Sequence, residues 1–215
     1  HDAGMEVAQV QTRLSAARTT LREHRATRPH PHLDDKVLAA WNGLMIAAAA
    51  RAARVVPGGA PQALQMAERA AGFVRDTLWD STVGVLRRCY REGRASIDGY
   101  CEDYAFVIWG LLELFQSTGN PEWLVFARQL QSKQDELFWD GAEGGWYSTT
   151  GQDSSVLLRV KDDYDGAEPS AGSVSVLNLL TFTHLDADAD AVRKAEKALA
   201  RFGLELGHTA RMFPL

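Results

Sequence analysis

Apolar residues open the chain at three- and four-residue steps, with Val7, Val10, Leu14, Ala17 and Leu21 set between Gln, Arg and Glu. That spacing predicts an amphipathic helix. Arg28-Pro29-His30-Pro31-His32 ends it, because proline lacks an amide proton and pushes the residue before it into an extended shape. From Asp34 to about Val56 the pattern is apolar nearly all round and rich in alanine, as expected of a helix buried on several sides, and Pro57-Gly58-Gly59 stops it. Further helices are expected over Pro61 to Leu78, Glu102 to Ser117, Pro121 to Phe138, Ser170 to His184 and Asp188 to Leu206, each start marked by proline, an acid or serine. Gly84 to Tyr90 and Gly145 to Thr149 read as short strands, and Ser154 to Val160 is expected to pair with the latter. These make small hairpins rather than a large sheet.

An internal repeat orders these elements. Leu78-Trp79-Asp80 is followed by Gly84-Val85-Leu86, and Phe138-Trp139-Asp140 by Gly144-Gly145-Trp146, sixty residues later. A second echo places Asp35 six residues before Trp41, with Gly43-Leu44 after it, and Asp103 six before Trp109, with Gly110-Leu111 after it. The repeating unit is an acidic loop, an apolar helix, an amphipathic helix, a Trp-Asp turn and a glycine hairpin. Alternating apolar and amphipathic helices predict two concentric layers, an all-α fold of the α/α-toroid kind with the apolar helices inside. Inner helices built this way run parallel, so the loops before Asp34, Glu102 and Ser170 open on one rim. An open α-solenoid of the same hairpins differs only in ring closure. The expected organisation is one partial toroid domain over 1–215, with a leading helix at 1–28, hairpin repeats at 29–206 and a truncated end at 207–215.

Charge narrows the function classes. Among 215 residues, 23 Lys and Arg stand against 28 Asp and Glu, a net charge of −5 without a run of like charge, so a nucleic-acid footprint is absent. The longest apolar run, Leu44 to Ala50, is far short of the roughly 18 residues of a membrane span. Cys89 and Cys101 form neither a disulfide framework nor a Cys-x-x-Cys pair, so a reducing, intracellular and most simply cytoplasmic setting is expected. The chain begins at His1 rather than Met and is expected to be a piece of a longer protein.

Three segments fall at the rim: His30 to Lys36, Asp98 to Tyr104, and Lys161 to Ser170. Each mixes carboxylates with aromatics. Carboxylates gathered from separate loops repel, which raises one pKa and leaves the other group ionised, the division of labour that glycoside hydrolysis uses. Asp34, Asp35, Glu102, Asp103, Asp165 and Glu168 are the candidate acids, bases and hydroxyl ligands, with His32, Lys36, Trp41, Asn42, Tyr104 and Tyr164 lining the site. The plainer role for any one acid is to cap a helix and oppose its dipole, worth about 0.5 to 2 kcal/mol. Asp34 with Asp35, Glu102 with Asp103, and Asp163 with Asp165 and Glu168 exceed what single caps require. His30, His32 and Asp34 alternate as a metal site or a proton-transfer base would, although a solvated loop is the ordinary explanation. No Gly-rich phosphate cradle precedes Lys36, and neither a metal nor another cofactor is expected.

His32-Leu33-Asp34-Asp35-Lys36-Val37-Leu38-Ala39-Ala40-Trp41-Asn42-Gly43-Leu44, Glu102-Asp103-Tyr104-Ala105-Phe106 and Asp163-Tyr164-Asp165-Gly166-Ala167-Glu168-Pro169-Ser170 together resemble the spermatogenesis-associated protein 20 family. The similarity runs from about His30 to His184. It implies part of a six-hairpin, glycosidase-like α/α toroid that in the family typically follows a thioredoxin-like domain, absent from this chain. Related toroids act as sugar epimerases and glycosidases, an analogy of fold. Two positions depart from the family pattern: Gly172 stands where Asn is usual, and Cys101 where Leu or Phe is usual. The expected function is a carbohydrate-active toroid whose rim pocket takes a sugar or sugar-like small molecule for hydrolysis or epimerisation. The alternatives are a non-catalytic module that supports the thioredoxin-like domain or a protein partner, and a helical-repeat protein whose acids are only caps.

Overall fold

The computed structural model describes residues 6–152, 156–162 and 164–209. The chain separates into two compact units, 1–35 and 36–215. In the first, α1 (Val7–Ala26) leads into an extended tail through Pro29 and Pro31. None of the residues of α1 is buried, and Val7, Leu14 and Leu21 stay 52 to 71% exposed, because no other element among the described residues of that unit covers the apolar stripe.

The second unit runs β1 (Val37–Leu38), α2 (Ala39–Val55), α3 (Pro61–Phe73) with a π-helical turn at Val74–Leu78, β2 (Trp79–Asp80), β3 (Val85–Arg91), β4 (Arg94–Asp98), α4 (Cys101–Thr118), α5 (Pro121–Phe138), α6 (Ala171–Asp186) and α7 (Ala189–Thr209). The expected helices are all present, with one shifted start. α2 begins at Ala39 rather than Asp34, because Val37 and Leu38 pair with Tyr90 and Cys89 of β3 and hold the entry extended. β3 also pairs with β2 and β4, giving a small four-stranded antiparallel sheet. β4 was invisible to patterning, since Arg94-Ala95-Ser96-Ile97-Asp98 carries no apolar run. The expected Gly145 to Thr149 strand reduces to a single bridge between Trp139 and Trp146 plus Ser148 N–H to Val160 O at 2.8 Å. Two successive glycines at positive φ, Gly144 (+85°) and Gly145 (+78°), turn the backbone out of a ladder there. Ser154 and Ser155 of its expected partner lie outside the described residues.

α2, α4 and α6 form the inner layer. α4 is buried almost continuously from Cys101 to Leu114, whereas α5 buries Trp123, Phe126, Ala127, Leu130 and Phe138 along one stripe. Contacts between α2 and α4 advance in step: Asp103 bonds Ala40, Gly43 lies on the backbone of Phe106 and Val107, Ile46 faces Gly110, and Ser117 donates to Ala50 O at 2.9 Å. Those helices are parallel. α6 is parallel to α4 by the same reading, since Gln134 joins Cys101 to Ser175 and Asn178 Nδ2 donates to Ala105 O at 2.9 Å. The N-termini of α2, α4 and α6 therefore open on one side. The two echoing glycines mark the α2–α4 crossing, where a side chain at either would strike the opposite backbone.

The sixty-residue repeat is a repeated turn. Asp80 Oδ1 accepts from Thr82 and Val83 N–H while Gly84 N–H donates to Asp80 O; Asp140 Oδ1 accepts from Ala142 and Glu143 N–H while Gly144 N–H donates to Asp140 O. The second oxygen takes a cation in each copy, Arg87 at 2.9 Å and Lys161 at 2.8 Å. Trp79 packs on Phe126 and Trp139 on Trp146, which makes both tryptophans anchors of the turn. Lys161, then the Tyr147 hydroxyl, hold the Asp140 carboxyl well below the usual carboxylate range. A depressed folded-state pKa contributes stability that is present above the unfolded value of about 3.9 and lost as pH falls through the folded one. Asp140→Asn is accordingly expected to flatten the acid limb of the stability curve below about pH 4, measured as urea midpoints between pH 2 and 6.

Candidate carboxylate rim

Asp103 occupies the third position of α4 and is fully enclosed. Its Oδ2 accepts from Tyr100 N–H at 2.9 Å and from Arg88 Nη1 at 2.8 Å, while Oδ1 accepts from Ala40 N–H at 3.1 Å. One carboxylate thus caps its own helix and the neighbouring one. That explains why α2 lacks a local side-chain cap. Burial pushes the Asp103 pKa up, with Arg88 opposing it. Tyr104 is likewise enclosed, its hydroxyl accepting from Leu86 N–H at 2.9 Å, and burial pushes its pKa to about 12. Both residues tie the rim together from beneath.

The residues at the surface are different ones. Glu102 accepts from Arg88 Nη1 at 2.7 Å, and the Arg88 guanidinium lies 4.7 Å from the centre of the exposed Tyr100 ring. Trp41, 58% exposed on the first turn of α2, donates its indole N–H to Glu168 Oε1 at 2.9 Å across 127 residues of sequence. Asp165 Oδ1 accepts from Ser170 N–H at 2.7 Å and so shapes the entry to α6, whose cap is the Ser170 hydroxyl. Tyr164 stands exposed with its ring against Gly166. Asn42 turns inward and donates to Leu38 O at 2.8 Å, and Lys36 is exposed where the second unit begins. His32, Asp34 and Asp35 are exposed in the first unit, and Asp163 lies outside the described residues. Among the described residues, no three His, Cys, Asp or Glu side chains gather as a metal site.

Arg88 is the rim residue that patterning missed. It sits mid-strand in β3, and the available signal was indirect: two adjacent acids, Glu102 and Asp103, at one helix start require a counter-charge.

The chain matches no protein-family model. It is 41% identical to human spermatogenesis-associated protein 20 over 82% of its length, and 39% identical to the rat protein over 93%. The chain belongs, over this segment, to the spermatogenesis-associated protein 20 family. It spans about a quarter of the curated relatives it matches, 23% of the human and 26% of the rat protein. Among solved structures, cellobiose 2-epimerase from Bacillus thermoamylovorans superposes with TM-score 0.65 at 16% identity, covering 80% of this chain and 46% of that one. A GH76 α-mannanase from Bacteroides thetaiotaomicron gives 0.63 at 16% identity, covering 81% and 47%. D-mannose isomerase gives 0.60 at 16% identity, covering 80% and 44%. The fold of this family segment is that of the α/α toroids of glycosidases and epimerases, and it superposes on just under half of each of these chains. No helix among the described residues is long and apolar enough to cross a membrane.

Gly172 and Cys101 both stand against close neighbours. At Gly172 a Cβ would stand 3.3 Å from Asp162 O, a tight contact that a side chain there could make only if that backbone gave way by a few tenths of an ångström. Cys101 is fully buried at the start of α4 against Gln134, and burial pushes its thiol to about 12. Cys89 is buried as well. Neither thiol is expected to react with Ellman's reagent at pH 8 in the folded protein, and both are expected to react in denaturant; a fast-reacting thiol in the native state would contradict this packing.

Proposed function

We propose that the rim is one side of a sugar-binding site. The observation that carries this reading is the Trp41–Glu168 pair: an exposed indole face beside a carboxylate, at the shared opening of parallel inner helices. An indole plane suits the apolar C–H face of a pyranose, and carboxylates accept from its hydroxyls. Glu168, Glu102 and Asp165 supply the acceptors, Tyr100 and Tyr164 a second aromatic wall, and Arg88 with Asp103 positions Glu102. The class of toroid found in the fold neighbours supports a sugar-type ligand and either glycoside hydrolysis or epimerisation. In the hydrolytic case Glu168 and Glu102 divide the acid and base roles, and a carboxyl separation of about 5 to 5.5 Å in the complex gives retention, about 6.5 to 9.5 Å inversion. Asp34, Asp35 and His32 keep only their sequence argument.

A non-catalytic binding module, in the full-length family proteins a support for a thioredoxin-like domain or a protein partner, is the second reading. It is favoured by Asp103, whose carboxylate is wholly engaged by protein donors. A thermal-shift screen against neutral sugars, amino sugars and uronic acids separates the two. Ligand at 100 times its Kd stabilises by about 2.7 kcal/mol. The expected result is a shift from one sugar class that Glu168→Gln diminishes, followed by turnover of that class. A shift without turnover supports the second reading, and no shift from any class removes the sugar site.

A further inference from the structure

Among the described residues, α1 is the only helix without a buried side chain. Its apolar residues keep a strict three-four spacing, Val7, Val10, Leu14, Ala17 and Leu21, which are the a and d positions of consecutive heptads. The flanking e and g positions within the helix hold Gln11, Arg13, Arg18, Thr20 and Arg25, all polar. A helix that faces a globular core carries an apolar stripe of about 100° or more, reaching into e or g, whereas a line confined to a and d is the seam of a helix pair. A bilayer surface also takes a broader face, with bulky Trp, Phe or Leu; α1 offers two valines, two leucines and an alanine. Away from the seam the helix is self-contained, since the Thr12 and Thr19 hydroxyls donate to Ala8 O at 2.9 Å and Ser15 O at 3.1 Å. The seam therefore fits one narrow occupant, a second helix.

Charge selects that helix. α1 carries Arg13, Arg18, Arg22 and Arg25 against the single acid Glu23. Arg13, Arg18 and Arg25 stand at e or g, the positions through which paired helices exchange ion pairs, and Glu23 does not. A second copy of α1 is a poor occupant. Parallel pairing would set Arg13 of one helix against Arg18 of the other, and antiparallel pairing would leave the arginines facing one another or the neutral Gln11 and Thr20. Like charges so placed repel. Carboxylates at the same places instead accept charge-assisted hydrogen bonds from the planar guanidinium forks.

We propose that α1 is a docking helix for a separate polypeptide: an amphipathic helix with aliphatic residues along its own seam and Glu or Asp beside it, seated on Val7 to Leu21 and paired to Arg13, Arg18 and Arg25. The site belongs to the first unit alone, and its fate is independent of the sugar reading. The probe is a fluorescent three-heptad peptide with Leu at a and d and Glu at e and g, and the control is the same peptide with Lys at e and g. Titrated with the 215-residue chain, the Glu peptide is expected to show a saturable rise in anisotropy, with ¹⁵N shifts of the chain confined to 7–26. The Lys peptide is expected to bind at least tenfold more weakly. Leu14→Ser, and separately Arg13→Glu with Arg18→Glu, change exposed side chains and are each expected to weaken the Glu peptide at least tenfold; the charge-reversed chain is expected to gain affinity for the Lys peptide. Equal binding of the two peptides, unchanged affinity in either variant, or shifts at 7–26 produced instead by vesicles of phosphatidylserine and phosphatidylcholine in equal parts would overturn the assignment. A full-length family protein is expected to bind the Glu peptide as well, and failure there would mean that its own chain covers this helix, which would overturn docking to a separate partner.

Discussion

Replacing Asp103 with alanine is expected to destabilise the protein by about 3 to 5 kcal/mol, the range for removing one partner of a buried charge pair. The magnitude follows from what is left behind. Arg88 loses the enclosed partner at 2.8 Å and keeps Glu102 alone, the Ala40 N–H loses its acceptor inside the core, and the Tyr100 N–H loses its acceptor at the rim. Because the same carboxylate caps α2 and α4, the loss uncouples two inner helices as well as breaking a bond. Asp103→Asn keeps one amide bond to either helix and is expected to cost less. Urea denaturation followed by far-ultraviolet circular dichroism measures both, and a loss below about 1 kcal/mol, the level of an ordinary exposed cap, would mean that the shared-cap description is wrong.

The second large effect is expected at the helix crossing. A Cβ at Gly43 would come under 3.0 Å from the backbone of Phe106 and Val107, and one at Gly110 would stand 2.7 Å from Gly43 O. Backbone cannot rotate out of the way, so Gly43→Ala is expected to cost about 3 kcal/mol or more, at the upper end of overpacking. Gly72 supplies the contrast. It lies in α3 with nothing within 4 Å of a built Cβ, and Gly72→Ala is expected to stabilise by up to about 1 kcal/mol through helix propensity. Opposite signs at the two glycines, read from thermal midpoints, would confirm close parallel packing of α2 on α4; equal signs would refute it.

Much of the fold was legible in the sequence because its elements are periodic and repeated. Alternation of all-apolar with one-sided helices announces two layers, and the paired Trp-Asp turns announce the repeat, which the structure renders as the same hydrogen-bonded turn around Asp80 and Asp140. What escaped is non-local. β4 is polar and owes its conformation to β3, and Asp34 to Leu38 reads as a helix start until Val37 and Leu38 find a strand far along the chain. The rim shows the same division. Acids, aromatics and their common side were readable, whereas the separation of Asp103 and Tyr104 beneath the rim from Glu102, Glu168 and Trp41 at its surface depends on bonds spanning 18 to 127 residues. No local pattern distinguishes a carboxylate that will cap two helices from one that will meet a ligand.

The central claim, a sugar site at the Trp41–Glu168 pair, is tested most directly by the indole N–H signals of the six tryptophans in a ¹H–¹⁵N spectrum. Trp41 is assigned by its disappearance in Trp41→Phe. On titration with the sugar class that stabilises the protein, its indole signal is expected to shift with saturation, as the bond to Glu168 is re-made around the ligand, while the core indoles of Trp123 and Trp146 stay in place. A saturating sugar that leaves Trp41 unmoved would contradict the account.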